Sequence, residues 1–140
     1  MRFGIHVPNF GEFHDIRATA ALAREADDAG WDGFFLWDHM QYGKSTHHPT
    51  ADPWICLAAI AMQTERIRLG PLVTPIARRR PWKLARETVS IDRLSGGRLI
   101  LGVGLGFPPD AEFENFGEDP DAQTRAQKLD EGLDILTQLW

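Results

Sequence analysis

A single cysteine in 140 residues rules out an internal disulfide. Cys56 falls in an apolar helical pattern, where a buried thiol in a reducing cytoplasm is its expected role. No hydrophobic run is long enough to span a bilayer, and residues 1–7 start a strand at once instead of a signal-peptide layout. A cytoplasmic protein is therefore expected, with no membrane partner. Basic excess is missing as well. The formal net charge is −5 and no basic face interleaves with aromatics, which excludes a nucleic-acid partner. Familiar enzyme motifs are equally absent. There is no G-x-S-x-G elbow for a Ser-His-Asp hydrolase. His47-His48-Pro49 is a loop pair without the fixed spacing of metal ligands, and His6 stands alone, so no metal site is expected. Gly102-Val103-Gly104-Leu105-Gly106 runs into Phe107-Pro108-Pro109, whereas a dinucleotide fingerprint needs G-x-G-x-x-G opening directly into a helix.

What the chain does contain is alternation. Apolar residues make up 43% of it, enough for the core of one domain over residues 1–140. Residues 3–7 read as a strand closed by Pro8-Asn9. Residues 16–29 follow as a helix with Asp15 as N-cap, a buried stripe of Ile16, Ala20, Ala23 and Ala26, and Gly30 just past its end. Residues 33–37 form a short apolar strand of the kind covered on both faces. A polar loop over 38–50 leads to Asp52-Pro53, which opens a helix over 54–63. A third strand is expected over 67–73, a helix from Arg80-Pro81 to Leu94, and a fourth strand over 99–103. The acidic stretch 107–121 reads as a Pro- and Gly-rich loop. The last helix, over 122–140, places Leu129, Leu133, Leu136 and Trp140 on one face. Four consecutive βα units make this an α/β protein with a parallel sheet, either doubly wound or part of a (β/α)8 barrel.

Parallel sheets bind ligands at the carboxyl ends of their strands. Two features lie there. Asp38-His39 follows the second strand, and a histidine beside a carboxylate can give or take a proton near neutral pH. The alternative is a loop aspartate capping the next turn beside a solvated histidine. The glycines after the fourth strand let a flat or anionic ligand approach the backbone, or else relieve crowding at a tight turn. Arg78-Arg79-Arg80 with Lys83 and Arg86 forms a basic cluster expected to be a solvated helix start, with phosphate binding as the alternative.

In order, Phe3-Gly4-Ile5, Ala29-Gly30-Trp31-Asp32, Asp38-His39, Ile67-Arg68-Leu69-Gly70, Val73-Thr74-Pro75, Arg86-Glu87-Thr88, Asp92 to Arg98, Gly102 to Gly106 and Leu129 to Leu133 resemble the N-terminal half of the bacterial luciferase-like superfamily. Its members are flavin-dependent monooxygenases and deazaflavin-dependent reductases. The resemblance implies a (β/α)8 TIM barrel with the cofactor ring at the carboxyl ends of the strands. The ring would lie against a bulge with a non-proline cis bond at Pro71-Leu72 or Leu72-Val73. His39 would be catalytic, Asp38 and Thr74 would touch the cofactor beside Leu72 and Val73, and Gly104, Leu105 and Gly106 would complete the cofactor-binding set.

The implied activity is a flavin-dependent monooxygenase using FMN and molecular oxygen, with a flavin reductase as partner. The alternative is a reductase or dehydrogenase using the deazaflavin coenzyme F-420, with His39 as proton donor. Another class is a non-catalytic half-barrel that self-associates. Leu105 stands where related flavoproteins can carry an arginine for the phosphate. Phe107 stands where deazaflavin-dependent sugar-phosphate dehydrogenases carry a glutamate. With Trp37, Trp54, Phe107 and Phe10 as walls, a small apolar or aromatic substrate is expected. A whole barrel takes about 250 residues, so the four units read as a half-barrel fragment with open sheet edges. A homo-oligomer is expected, with Ile5, Val7, Phe35, Leu69 or Leu72 partly wet in the lone chain.

Overall fold

The computed structural model describes residues 1–42 and 48–140. Three parallel strands, β1 (Gly4–Val7), β2 (Gly33–Leu36) and β3 (Arg68–Pro71), form a sheet in that order. A second parallel pair joins β4 (Thr74–Pro75) to β5 (Val103–Gly104). The helices are α1 (Ile16–Asp28), α2 (Pro53–Gln63), α3 (Pro81–Leu94), the single turn α4 (Pro109–Glu112) and α5 (Ala122–Leu139).

The expected caps form. The Asp15 carboxylate accepts from the Arg17 and Ala18 amides, and Asp52 accepts from those of Trp54 and Ile55. On α1 the small stripe Ala20, Ala23 and Ala26 is buried, whereas Ile16 is half-buried and Ala29 is the C-cap. These alanines let α1 pack closely beside α2, whose Leu57 and Ile60 are fully buried over Phe34, Leu36 and Leu69 of the sheet. α5 meets the turn after β4 at Gly132, where a Cβ would come 2.4 Å from Ile76 Cγ2.

Two strands differ from expectation. The third divides around the cis bond between Leu72 and Val73, which gives β3 and β4. The fourth enters a ladder only at Val103 and Gly104. Upstream it still follows β3, with the Ile100 amide donating to Leu69 O and the Gly102 amide to Pro71 O. The stretch expected as a loop over 107–121 contains α4, started by Pro109 in the first helical position, and a short turn at Glu114–Phe116. Trp140 is exposed, and its indole donates to Thr88 Oγ1 at 3.0 Å instead of joining the core. Of the side chains expected to be wet, Val7 and Leu69 are buried on the helix side of the sheet. Ile5 and Phe35 are half-buried, and Leu72 is exposed. No helix of the described residues is long and apolar enough to cross a membrane.

Two buried charges pin the amino ends of the strands. Asp27 accepts from the backbone amides of Glu65, Arg66 and Ile67. Arg98 donates to the carbonyls of Ser95, Thr64, Ile67 and Ala61 and to Thr64 Oγ1, closing the carboxyl end of α2. Removing the guanidinium strands several buried acceptors. Arg98→Met is expected to lower unfolding free energy by about 2–4 kcal/mol in urea titration. A loss within about 0.5 kcal/mol would show that these carbonyls find other partners.

Candidate active site

Where β2 ends, the backbone delivers Trp37, Asp38 and His39 in succession. Asp38 is buried and every oxygen of its carboxylate is engaged. Arg79 Nη2 donates to Oδ1 at 2.8 Å and to Oδ2 at 2.7 Å. Arg78 Nη2 donates to Oδ1 at 2.9 Å, and the Thr74 hydroxyl, on β4, donates to Oδ2. Burial by itself pushes the Asp38 carboxyl up, but the Arg78 and Arg79 guanidiniums and the Thr74 hydroxyl outweigh it. They hold the group below the usual carboxylate range.

His39 is held from two sides. Its main chain is clamped by buried Asn9, which donates to His39 O at 2.9 Å and accepts from His39 N at 3.2 Å. Its ring nitrogen Nδ1 lies 2.8 Å from Oε1 of Glu112, at the end of α4. The Glu112 carboxylate, fully buried, also accepts from the Met40 amide and from Arg78 Nε, each at 3.2 Å. Arg78 thus bridges Asp38 and Glu112. Two carboxylates and two guanidiniums neutralise one another, and the imidazole is tied to the edge of the set.

Above this network opens a cavity of about 800 Å³ whose walls include Trp37, His39, Leu72, Val73, Leu105 and Phe107. Leu72, Val73, Leu105 and Phe107 are exposed, so the cavity offers an apolar bed to a flat ring, with one imidazole at its edge. Such a bed suits an isoalloxazine or deazaflavin ring. The phosphate end is less well served, because Arg78 and Arg79, beneath the cavity wall, are both paired with carboxylates.

The cavity brings together Asp38, His39, Leu72, Val73, Leu105 and Gly106. Thr74 lies beneath the wall and reaches it through Asp38. Gly104 is turned away, since a Cβ there would meet Val73 Cγ2 at 2.6 Å. Crowding accounts for the other glycines too. A Cβ on Gly102 would lie 2.6 Å from Pro71 O, and on Gly106, at φ +81°, 2.8 Å from the Phe113 ring.

Two expectations are corrected. Arg78 and Arg79 are not a solvated helix start; the carboxylates of Asp38 and Glu112 draw them inward, and only Arg80 of the triplet is exposed. Trp54 is buried under the Arg79 guanidinium, 5.8 Å from its ring centroid, and is no cavity wall. Phe10 stacks on Tyr42 at 4.3 Å behind the wall. His47 lies outside the described residues. Glu112 and Asn9 escaped the sequence reading because their partners are 73 and 30 residues away. The one available signal was Pro109, which starts a helical turn ending at Glu112.

Residues 1–140 match the family described as luciferase-like monooxygenase. An F420-dependent glucose-6-phosphate dehydrogenase of Microbacterium testaceum is 36% identical over 118 residues, covering 82% of this chain and 34% of that protein. A monooxygenase from Streptomyces bottropensis superposes with a TM-score of 0.81 at 32% identity, over 100% of this chain and 43% of its own. The FMN complex of the oxygenating constituent of 3,6-diketocamphane monooxygenase from Pseudomonas putida shares the fold, with a TM-score of 0.81 and 22% identity over 100% and 39% of the two chains. This chain spans about a third of the length of the curated relatives it matches.

The lowered Asp38 carboxyl has a direct consequence for stability. A depressed folded-state value means that its contribution is present above the unfolded carboxylate range and is lost as pH falls through the folded value. Asp38→Asn leaves two guanidiniums in the interior short of a counter-charge and is expected to cost about 3–5 kcal/mol near pH 7. The difference between variant and wild type should shrink as the pH is taken down towards about 3. Urea midpoints measured across that range check this, and a constant difference would contradict it.

Proposed function

This chain belongs to the luciferase-like monooxygenase family, and from that premise we propose that it supplies the ring-binding, proton-transferring part of a flavin-dependent oxidoreductase. The observation that carries the reading is the imidazole of His39, fixed through Nδ1 at the edge of an apolar bed formed by Leu72, Val73 and Leu105. FMN is the proposed cofactor, molecular oxygen the co-substrate, and a small apolar or aromatic organic molecule the substrate. A flavin reductase is the proposed source of reduced FMN. In the full fold, these βα units form the N-terminal half of a (β/α)8 barrel.

Reduced flavin, when bound, supplies the electrons for reaction with oxygen. Leu72, Val73 and Leu105 would lie against its ring and exclude water from that face. Asp38 and Thr74 tie the end of β2 to β4 and so keep the bed in register with His39. His39 would exchange a proton through Nε2, the ring nitrogen not engaged by Glu112. A second reading, favoured by the 36% identity to an F420-dependent dehydrogenase, places the deazaflavin F420 on the same bed with His39 as proton donor.

Equilibrium titration with FMN and with F420, followed by absorbance, decides between the two. In the active protein His39→Ala is expected to lower turnover by about 10²-fold or more while cofactor affinity is kept. Unchanged turnover would remove the assigned role.

A further expectation concerns the chain by itself. β1 pairs only with β2 and β5 only with β4 among the described residues, while Leu72, Val73, Ile100 and Leu105 are exposed. The chain should self-associate and hold FMN only weakly. Sedimentation with flavin titration tests both. A monodisperse monomer binding FMN at about micromolar affinity or better would refute this, and stable dimers indifferent to either cofactor would favour a non-catalytic half-barrel.

A further inference from the structure

We infer that Glu112 is the positioning residue of His39: it holds the imidazole as the Nδ1–H tautomer and thereby assigns all proton exchange to Nε2. The inference rests on the acid–base role proposed above for His39, but its central claim is about the ring itself.

The geometry is one-sided. Nδ1 stands 2.8 Å from Glu112 Oε1, a distance at which a neutral imidazole must donate, because an ionised carboxylate only accepts. Arg78 holds that carboxylate in place, donating to Oε2 from Nε at 3.2 Å. The Met40 amide adds a donor to the same carboxylate, so Glu112 meets donors from three directions and has no proton of its own to give. Asn9 fixes the backbone of His39 on both its N–H and its carbonyl, so the ring starts from a fixed main chain.

Asp38 is the carboxylate adjacent in sequence, yet its oxygens are bonded to Thr74, Arg78 and Arg79. The ring-orienting carboxylate is therefore the distant one. Among the described residues, the charged and titratable groups around the imidazole are Glu112 and Arg78 from the turns that follow β5 and β4, and Asp38 and Tyr42 from its own segment.

When Nε2 takes a proton from a reacting group, the imidazolium keeps its Nδ1 proton and faces the Glu112 carboxylate. When Nε2 gives that proton back, the ring returns to the same neutral tautomer. Nothing else is consumed.

The test is long-range 1H–15N correlation on the histidine rings of the whole chain, at a pH of about 9 where imidazoles are neutral. His39 is assigned by comparison with His39→Gln. The expected pattern is a protonated Nδ1 and a bare Nε2, and a protonated Nε2 in the unaltered chain overturns the inference. Glu112→Ala should convert His39 to a mixture in which the Nε2–H form is prominent, with the other histidine signals unmoved. Persistence of pure Nδ1–H in that variant overturns the positioning role. Should Glu112→Ala fail to fold, Arg78→Lys, which retains a positive donor, is expected to keep the wild-type tautomer, and loss of the Nδ1–H form would count against the inference. The kinetics separate the two proposals. An Nδ1–H tautomer together with unchanged turnover in His39→Ala defeats the acid–base role and leaves the positioning contact intact.

Discussion

The site depends on the contact between Asp38 and the paired arginines after β4. A carboxylate this deeply buried is tolerated only when its charge is matched and its lone pairs are filled, and Arg78, Arg79 and Thr74 do both. The contact also joins parts of the sheet that share no ladder, since Asp38 follows β2 and Thr74 opens β4. Arg78 extends the link to α4 through Glu112, and Glu112 reaches His39. Three segments distant in sequence are thus tied through a few charged hydrogen bonds, which specify geometry more sharply than apolar packing does. Removing one member leaves the rest buried and unmatched, so the network behaves as a unit.

Electrical balance at that network shapes what the cavity can receive. The arginines beneath the wall are already paired, and the exposed surface above them is carbon from Leu72, Val73, Leu105 and Phe107. A charged group set on that carbon surface would lose water and, among the described residues, meet no unpaired counter-charge, at a cost of several kcal/mol. A flat, uncharged ring loses little and gains contact area. Beneath the cavity, Arg78 and Arg79 have their guanidiniums engaged by Asp38 and Glu112. A barrel site is assembled from loops around the whole ring of strands, and this chain matches only about a third of the length of its curated relatives.

The order of elements was legible in the sequence because its signals are local. Asp15 and Asp52 cap helices two and three residues ahead, and apolar runs mark the strands. Asp38-His39 was legible for the same reason, being the first polar pair after an apolar strand. The partners of those residues were not. Arg78 and Arg79 read as solvated because a run of like charge before a helix proline usually is, and only the sheet brings Asp38 to them. Glu112 sat in a stretch whose prolines and glycines signalled a loop. The glycines of the tract 102–106 were ambiguous between ligand approach and crowding, and a Cβ at Gly102 or Gly104 would be crowded by Pro71 O or the Val73 side chain.

That outcome changes what makes the ring bed. Room at Gly102 is taken by the Pro71 carbonyl and room at Gly104 by the Val73 side chain. These two glycines let the β3–β4 segment sit close to β5, which leaves Leu72 and Val73 on the open side. A side chain at position 104 would push on Val73, and one at 102 would push on the backbone just before Leu72. Apolar bed and glycine tract are two faces of one packing constraint. Asp38 and Thr74 secure one edge of it, and Arg125, donating to the carbonyls of Leu105 and Gly106 at 2.9 and 2.8 Å, secures the other. With both edges held, the bed keeps a fixed position relative to His39.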